Sequence, residues 1–216
     1  MAFTAVVFDL DGTLLDTLED IARSSNAALG QLGFPPHETS AYRYFVGDGR
    51  EALAARILPE GHRDEATVAR VAAGIDREYS RHWADATRPY EGVPALLEAL
   101  VDRGVKMAVL SNKPDDYTRL MVSRLLPHWQ FGAVIGSRPS VPNKPDPAAA
   151  LEVAARLHVP PSECLYVGDT DTDMKTARAA GMYPVGALWG FRTEDELLAS
   201  GANALVSAPT GVLALL

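Results

Sequence analysis

A chain of 216 residues is long enough for one full hydrophobic core, or for a core carrying a smaller insert, and its 47% hydrophobic and 22% charged residues exclude disordered and fibrous classes. A formal net charge of -8 and a pI near 5.1 oppose a nucleic-acid backbone at long range, so the partner expected is small, an anion included if donors cluster locally. One cysteine, Cys164, allows no internal disulfide, and no charged leader or apolar run of bilayer length appears, so the expectation is a cytoplasmic protein with no membrane partner.

The first predicted element is a short apolar strand, Ala5–Leu10, running into the polar turn Asp11-Gly12-Thr13. From Asp16 to Thr87 no convincing strand follows. The pattern there predicts helices over Leu18–Leu32, Arg50–Leu58 and Asp64–Trp83, with turn signals at Gly33-Phe34-Pro35-Pro36 and Pro59-Glu60-Gly61. Strands then recur at Val105–Leu110, Phe131–Ile135, Cys164–Val167, Pro184–Leu188 and Ala204–Val206. Helical patterns separate them at Pro94–Asp102, Asp115–Leu126, Pro147–Leu157, Asp171–Ala180 and Thr193–Ala199. Strands that are apolar throughout are buried on both faces, so the fold class expected is α/β. It is a doubly wound, Rossmann-like parallel sheet of residues 1–15 and 88–216, with residues 16–87 inserted as an all-helical domain above the end of the first strand, where open α/β sheets bind ligands.

Four segments carry chemistry. Asp9-Leu10-Asp11-Gly12-Thr13 puts two carboxylates at the end of a buried strand, where a charge is costly unless paired or bound to metal. Asp9 is a candidate carboxylate nucleophile and Asp11 a candidate proton donor to the leaving oxygen; the alternative is a solvated Asx turn. Ser111 and Asn112 follow the strand Val105–Leu110, and such residues are common turn formers and helix caps. In combination with the rest they and Thr13 are candidates to bind phosphate oxygens. In Asn143-Lys144-Pro145-Asp146-Pro147 two prolines stiffen the loop around Lys144, a candidate to balance carboxylates and a phosphate dianion. Gly168-Asp169-Thr170-Asp171-Thr172-Asp173 crowds three acids at a strand-to-helix junction; a helix cap explains one or two of them, but Asp169 falls at the strand end. A hard cation with oxygen ligands, Mg²⁺, is the natural counter-ion, with Asp9, Asp169 and a backbone carbonyl as the protein's share.

Together and in this order, Asp9-x-Asp11-Gly-Thr, Ser111, Lys144-Pro and Gly168-Asp169-x-x-x-Asp173 resemble the motifs of the haloacid dehalogenase-like hydrolase superfamily, over essentially the whole chain. The insert after the first motif resembles the subfamily with a helical C1 cap, and within it the chain is most similar to phosphoglycolate phosphatases. The resemblance implies a phosphoaspartyl intermediate on Asp9, with Asp11 as acid and then base. It also implies phosphoryl binding by Ser111, charge balance by Lys144, and Mg²⁺ held by Asp9, Asp169 and the main-chain carbonyl of Asp11. Asp173 then positions the metal shell or Lys144, and Asp171 takes no role. Leaving-group recognition falls to the cap, where Phe45-Val46-Gly47-Asp48-Gly49-Arg50 offers close backbone approach and Arg50 a partner for a substrate carboxylate.

The reading is thus a Mg²⁺-dependent phosphatase acting on a small phosphorylated metabolite, 2-phosphoglycolate first, as a monomer or homodimer. A sugar-phosphate phosphatase or mutase, a nucleotidase and a pyrophosphatase stay open on the same scaffold. Asp11 argues against a dehalogenase or a phosphonatase, and against a receiver-like phosphoacceptor module, which also lacks a cap.

Overall fold

The structure is a computed structural model and describes residues 3–216. It divides into two compact units, one holding the chain up to Leu15 together with Pro89–Leu216, the other being Asp16–Arg88. In chain order the strands are β1 (Ala5–Phe8), the two-residue β2 (Leu15–Asp16) and β3 (Arg88–Pro89), β4 (Lys106–Pro114), β5 (Ala133–Ser137), β6 (Cys164–Gly168), β7 (Tyr183–Ala187) and β8 (Ala204–Val206). The helices are α1 (Leu18–Gln31), α2 (Tyr42–Phe45), α3 (Arg50–Ile57), α4 (Glu65–His82), α5 (Val93–Asp102), α6 (Asp115–Leu125), α7 (Ala148–Leu157), α8 (Asp171–Ala180) and α9 (Glu194–Ala199).

The first unit is a six-stranded sheet in the order β5-β4-β1-β6-β7-β8, parallel throughout. The apolar runs that predicted its strands follow from where they lie. Ala5 and Val7 of β1 join a core cluster with Ala149, Ala150, Val153 and Ala154 of α7 and Ala177 of α8. Val6 and Phe8 alternate to the opposite face and are equally buried, so both faces of the strand are covered. Among the described residues no helix is long and apolar enough to cross a membrane.

The register fixes what converges. Phe8 stands level with Val109 of β4 on one side and Val167 of β6 on the other. The carboxyl ends of these three strands therefore deliver Asp9, Ser111 and Asp169 to one edge of the sheet, although 160 positions separate the first from the last.

The two-residue β2 and β3 lie where no strand before Val105 was expected, and β5, β6 and β7 are shifted or lengthened by one or two residues. Two further strand boundaries differ from the sequence reading in ways that bear on the site. β1 ends at Phe8, because the chain turns at once: the Leu10 carbonyl accepts from both Leu14 N–H (3.0 Å) and Leu15 N–H (2.9 Å). Asp9 and Asp11 therefore lie beyond regular strand geometry. β4 runs on to Pro114 with a register irregularity between Leu110 and Pro114, so Ser111 and Asn112 stay extended where the apolar run had suggested a stop. An apolar pattern reports the covered part of a strand, and these polar residues extend past it.

The second unit is helical. α1 and α3 pack on α4, whose N-terminus is capped by Asp64 accepting from Thr67 N–H at 3.0 Å. Its helices match the expected ones to within a few residues, with the additional one-turn α2. Asp20 in the first turn of α1 is fully buried and takes the N–H groups of Ala86 and Thr87 and the Thr87 hydroxyl, the last at 2.7 Å. The two ends of the unit are thereby tied together.

Candidate active site

Asp9 follows β1, and its N–H still donates to Val167 O at 2.9 Å, so the neighbouring strand holds its backbone. Its side chain is buried beside Lys144, with Nζ 2.9 Å from Oδ1. That oxygen accepts no aligned hydrogen bond among the described residues, so the contact is an ion pair with a lone pair left over. Burial, with the charge of Asp173, pushes the Asp9 carboxyl up to about 7 despite Lys144.

Lys144 also reaches Asp173 Oδ1 at 2.7 Å. Burial alone would push the ammonium down, but the carboxylates of Asp173 and Asp9 hold its pKa well above the ordinary lysine range. Its place is set by Asn112, whose side-chain amide reads the Lys144 backbone in both directions. Lys144 N–H donates to Oδ1 at 2.8 Å, and Nδ2 donates to Lys144 O at 3.0 Å. Asn112 thus ties the end of β4 to the lysine loop.

Asp169 follows β6 and is fully buried. Thr13 donates its hydroxyl to Oδ1 at 2.7 Å, and Phe191 N–H donates to Oδ2 at 2.9 Å. Burial, reinforced by the charges of Asp173 and Asp9, raises its pKa well above the carboxylate range. Asp173 is residue N3 of α8 and closes a capping box with Thr170, whose N–H and hydroxyl both donate to Oδ2, at 3.1 and 2.7 Å. Gly12, at φ +84°, permits the approach of the first loop: a methyl there would sit 2.8 Å from Asp169 Cγ.

Carboxylate oxygens of Asp9, Asp169 and Asp173 lie within 4.8 Å of one another, all buried. Three buried carboxyl groups facing one ammonium cannot all ionise without a further cation, which is why burial and mutual repulsion raise Asp9 and Asp169. Each oxygen has further lone pairs, and Asp9 Oδ1 has no aligned donor among the described residues. The donor set is hard, anionic and converging, which fits a divalent cation.

The remaining candidates are placed as follows. Asp11 points to a second cation, with Lys113 Nζ 3.1 and 3.2 Å from its two oxygens. The buried Ser111 Oγ accepts from Lys113 N–H at 3.2 Å, which turns its own proton away from that bond. Asp171 is paired with Lys175 on the exposed side of α8. Arg50 belongs to the helical unit, where it opens α3 and its guanidinium pairs with Glu51 at 2.8 Å and with Asp76. Its loop is tied down by Arg56, which bonds Phe45 O at 3.1 Å and pairs with Asp48. Sequence reasoning saw Lys113 as an ammonium donor following Ser111 and Asn112 but gave it no role, and it passed over Phe191, for which only a position just past a strand end gave notice.

A buried acid cluster with one lysine, at the carboxyl edge of this sheet order, defines a class, and the chain belongs to the haloacid dehalogenase-like hydrolases, whose family model matches residues 6–187. It is a phosphatase of that family, acting on a small phosphorylated substrate. Its relatives include a phosphoglycolate phosphatase of Xylella fastidiosa, 34% identical over 94% of this chain and 89% of that one. Another phosphoglycolate phosphatase, from Aquifex aeolicus, is 32% identical over 86% of this chain and 85% of its own. A crystal structure from Lactobacillus delbrueckii subsp. bulgaricus, provisionally named a phosphoglycolate phosphatase, matches with a TM-score of 0.92 at 30% identity, covering 98% of this chain and 97% of that one.

Proposed function

We propose that this phosphatase hydrolyses 2-phosphoglycolate to glycolate and phosphate with Mg²⁺, through a phosphoaspartyl intermediate on Asp9. The observation that carries the mechanism is the Asp9 carboxylate at the end of β1, ion-paired to Lys144 at 2.9 Å and within 4.8 Å of Asp169 and Asp173 oxygens. The substrate rests on the relatives named phosphoglycolate phosphatase at up to 34% identity over most of the chain.

Asp9, Asp169 and the main-chain carbonyl of Asp11 would hold Mg²⁺, with Asp173 fixing Lys144 beside them. The ion supplies positive charge that lets the Asp9 carboxylate and a phosphate dianion share one site. An Asp9 oxygen attacks phosphorus, the ester P–O bond breaks, and Asp11 gives its proton to the departing oxygen. Asp11 then takes a proton from water, whose oxygen attacks phosphorus and frees the Asp9 carboxylate. Lys144 neutralises charge throughout, and Ser111 donates to a phosphoryl oxygen. Lys113, with Nζ 3.1 Å from Asp11 Oδ1, would hold the Asp11 side chain in place, and this ion pair would give way when Asp11 carries the proton it donates.

Phosphate release from a panel of phosphomonoesters with Mg²⁺ tests both parts. The expected outcome is highest kcat/KM on 2-phosphoglycolate, loss of turnover on chelation and its return with added Mg²⁺. A hexose phosphate or nucleotide preferred by tenfold or more would overturn the substrate, and turnover without a divalent ion would overturn the mechanism.

A further inference from the structure

The segment after β7, Trp189-Gly190-Phe191, has no part in the chemistry above, yet it encloses Asp169. Phe191 N–H donates to Asp169 Oδ2 at 2.9 Å, and Arg192 N–H donates to the Asp169 carbonyl at 3.3 Å. Just before them Gly190 lies directly against the acid: a methyl there would come within 2.6 Å of both Asp169 Cγ and Oδ2. The φ of Gly190 is not in the left-handed region, so glycine is required here by contact and not by backbone conformation. Trp189 Nε1 donates to the Thr13 carbonyl at 2.9 Å, while the Thr13 hydroxyl donates to Asp169 Oδ1 at 2.7 Å. The result is a closed ring: the loop after β7 holds one carboxylate oxygen directly and holds, through Trp189, the threonine that binds the other.

We infer that Trp189-Gly190-Phe191 is a positioning element for the metal, fixing the Asp169 carboxylate in both distance and rotation. The inference rests on the metal reading of Asp169. Both oxygens of that acid are oriented by donors, from two loops that are themselves tied together, so neither can turn without breaking a bond. Partners of this kind raise metal affinity because the ligand is already aimed before the ion arrives; their loss typically weakens binding by roughly 10- to 100-fold.

The test is Mg²⁺ binding to the full-length protein by titration calorimetry, with the Mg²⁺ concentration giving half-maximal phosphatase activity as a second readout. Gly190→Ala should raise the dissociation constant at least about tenfold by displacing Asp169. Trp189→Phe keeps an aromatic side chain while removing the indole N–H donor; it should raise the constant by several-fold and largely recover kcat at saturating Mg²⁺. This milder variant decides the matter if Gly190→Ala does not fold. Asp169→Asn is the reference. Unchanged Mg²⁺ binding in Trp189→Phe, and in Gly190→Ala where it folds, overturns the positioning role if Asp169→Asn abolishes binding. Unchanged binding in Asp169→Asn overturns the metal reading itself, and the inference with it.

Discussion

Replacing Asp9 by Asn should abolish turnover and yet make the metal-free protein more stable, by an amount that depends on pH. In the folded protein burial and Asp173 raise the Asp9 carboxyl from 3.8 to about 7, with Lys144 opposing. The folded state therefore holds more protons than the unfolded state between those values, and stability falls as pH rises across them. The group supports folding fully below about pH 4, and that support is lost as pH passes about 7. Three pK units correspond to on the order of 4 kcal/mol, which is the ceiling on what ionised Asp9 costs at pH 8 without metal. Asn is neutral at every pH, nearly the same shape, and keeps an oxygen to face Lys144 Nζ. At roughly 2–4 °C per kcal/mol for a chain of this size, Asp9→Asn should melt several degrees above the parent at pH 8, and by less than half as much at pH 5. Such a gain on removing a reactive group is the usual trade between activity and stability. Thermal melts in chelator at the two pH values measure it, and Mg²⁺ at pH 8 should raise the parent and close the gap. An equal difference at pH 5 and pH 8 would refute the argument that Asp9 is held as a strained anion.

The other expectations concern positioning and recognition. Asn112→Ala removes both hydrogen bonds to the Lys144 backbone and should cost roughly 1–3 kcal/mol in denaturant unfolding, with kcat lowered more than KM is raised; wild-type kcat would deny Asn112 any part in holding the lysine. Asp20→Ala leaves the N–H groups of Ala86 and Thr87 without their buried acceptor and should cost roughly 2–4 kcal/mol by the same measurement. A loss under 0.5 kcal/mol would show that the tie between the two ends of the helical unit is not needed. Arg50→Ala should raise KM for 2-phosphoglycolate more than for a neutral phosphate ester, and equal effects would end the case for Arg50 as a carboxylate reader. Its pairing with Glu51 and Asp76 means that such a role requires Arg50 to exchange partners.

The division between what sequence and fold each decide runs along particular residues. The strand ends Asp9, Ser111 and Asp169 were legible because a parallel sheet covered on both faces demands apolar runs, and a charged or polar residue stopping such a run is visible in one dimension. Two candidates read as phosphate donors turn out to have partners of their own: the Thr13 hydroxyl is bonded to Asp169, and the Asn112 amide is bonded to the Lys144 backbone. Sequence gives the donor but not its acceptor, since a hydroxyl at a strand end looks the same whether it faces substrate or a neighbouring loop. Lys113 was seen as a donor but given no role, and the Trp189–Phe191 segment escaped notice, for a related reason. Their importance lies in distances of about 3 Å to Asp11, Thr13 and Asp169, set by strand register across the sheet and not by spacing along the chain. The order of the motifs along the chain was enough to name the chemistry. Only the folding of β1 between β4 and β6, with β7 beyond, brought the four acids, two lysines and their donors close enough to perturb one another, because electrostatic and hydrogen-bond energies depend on separation in space.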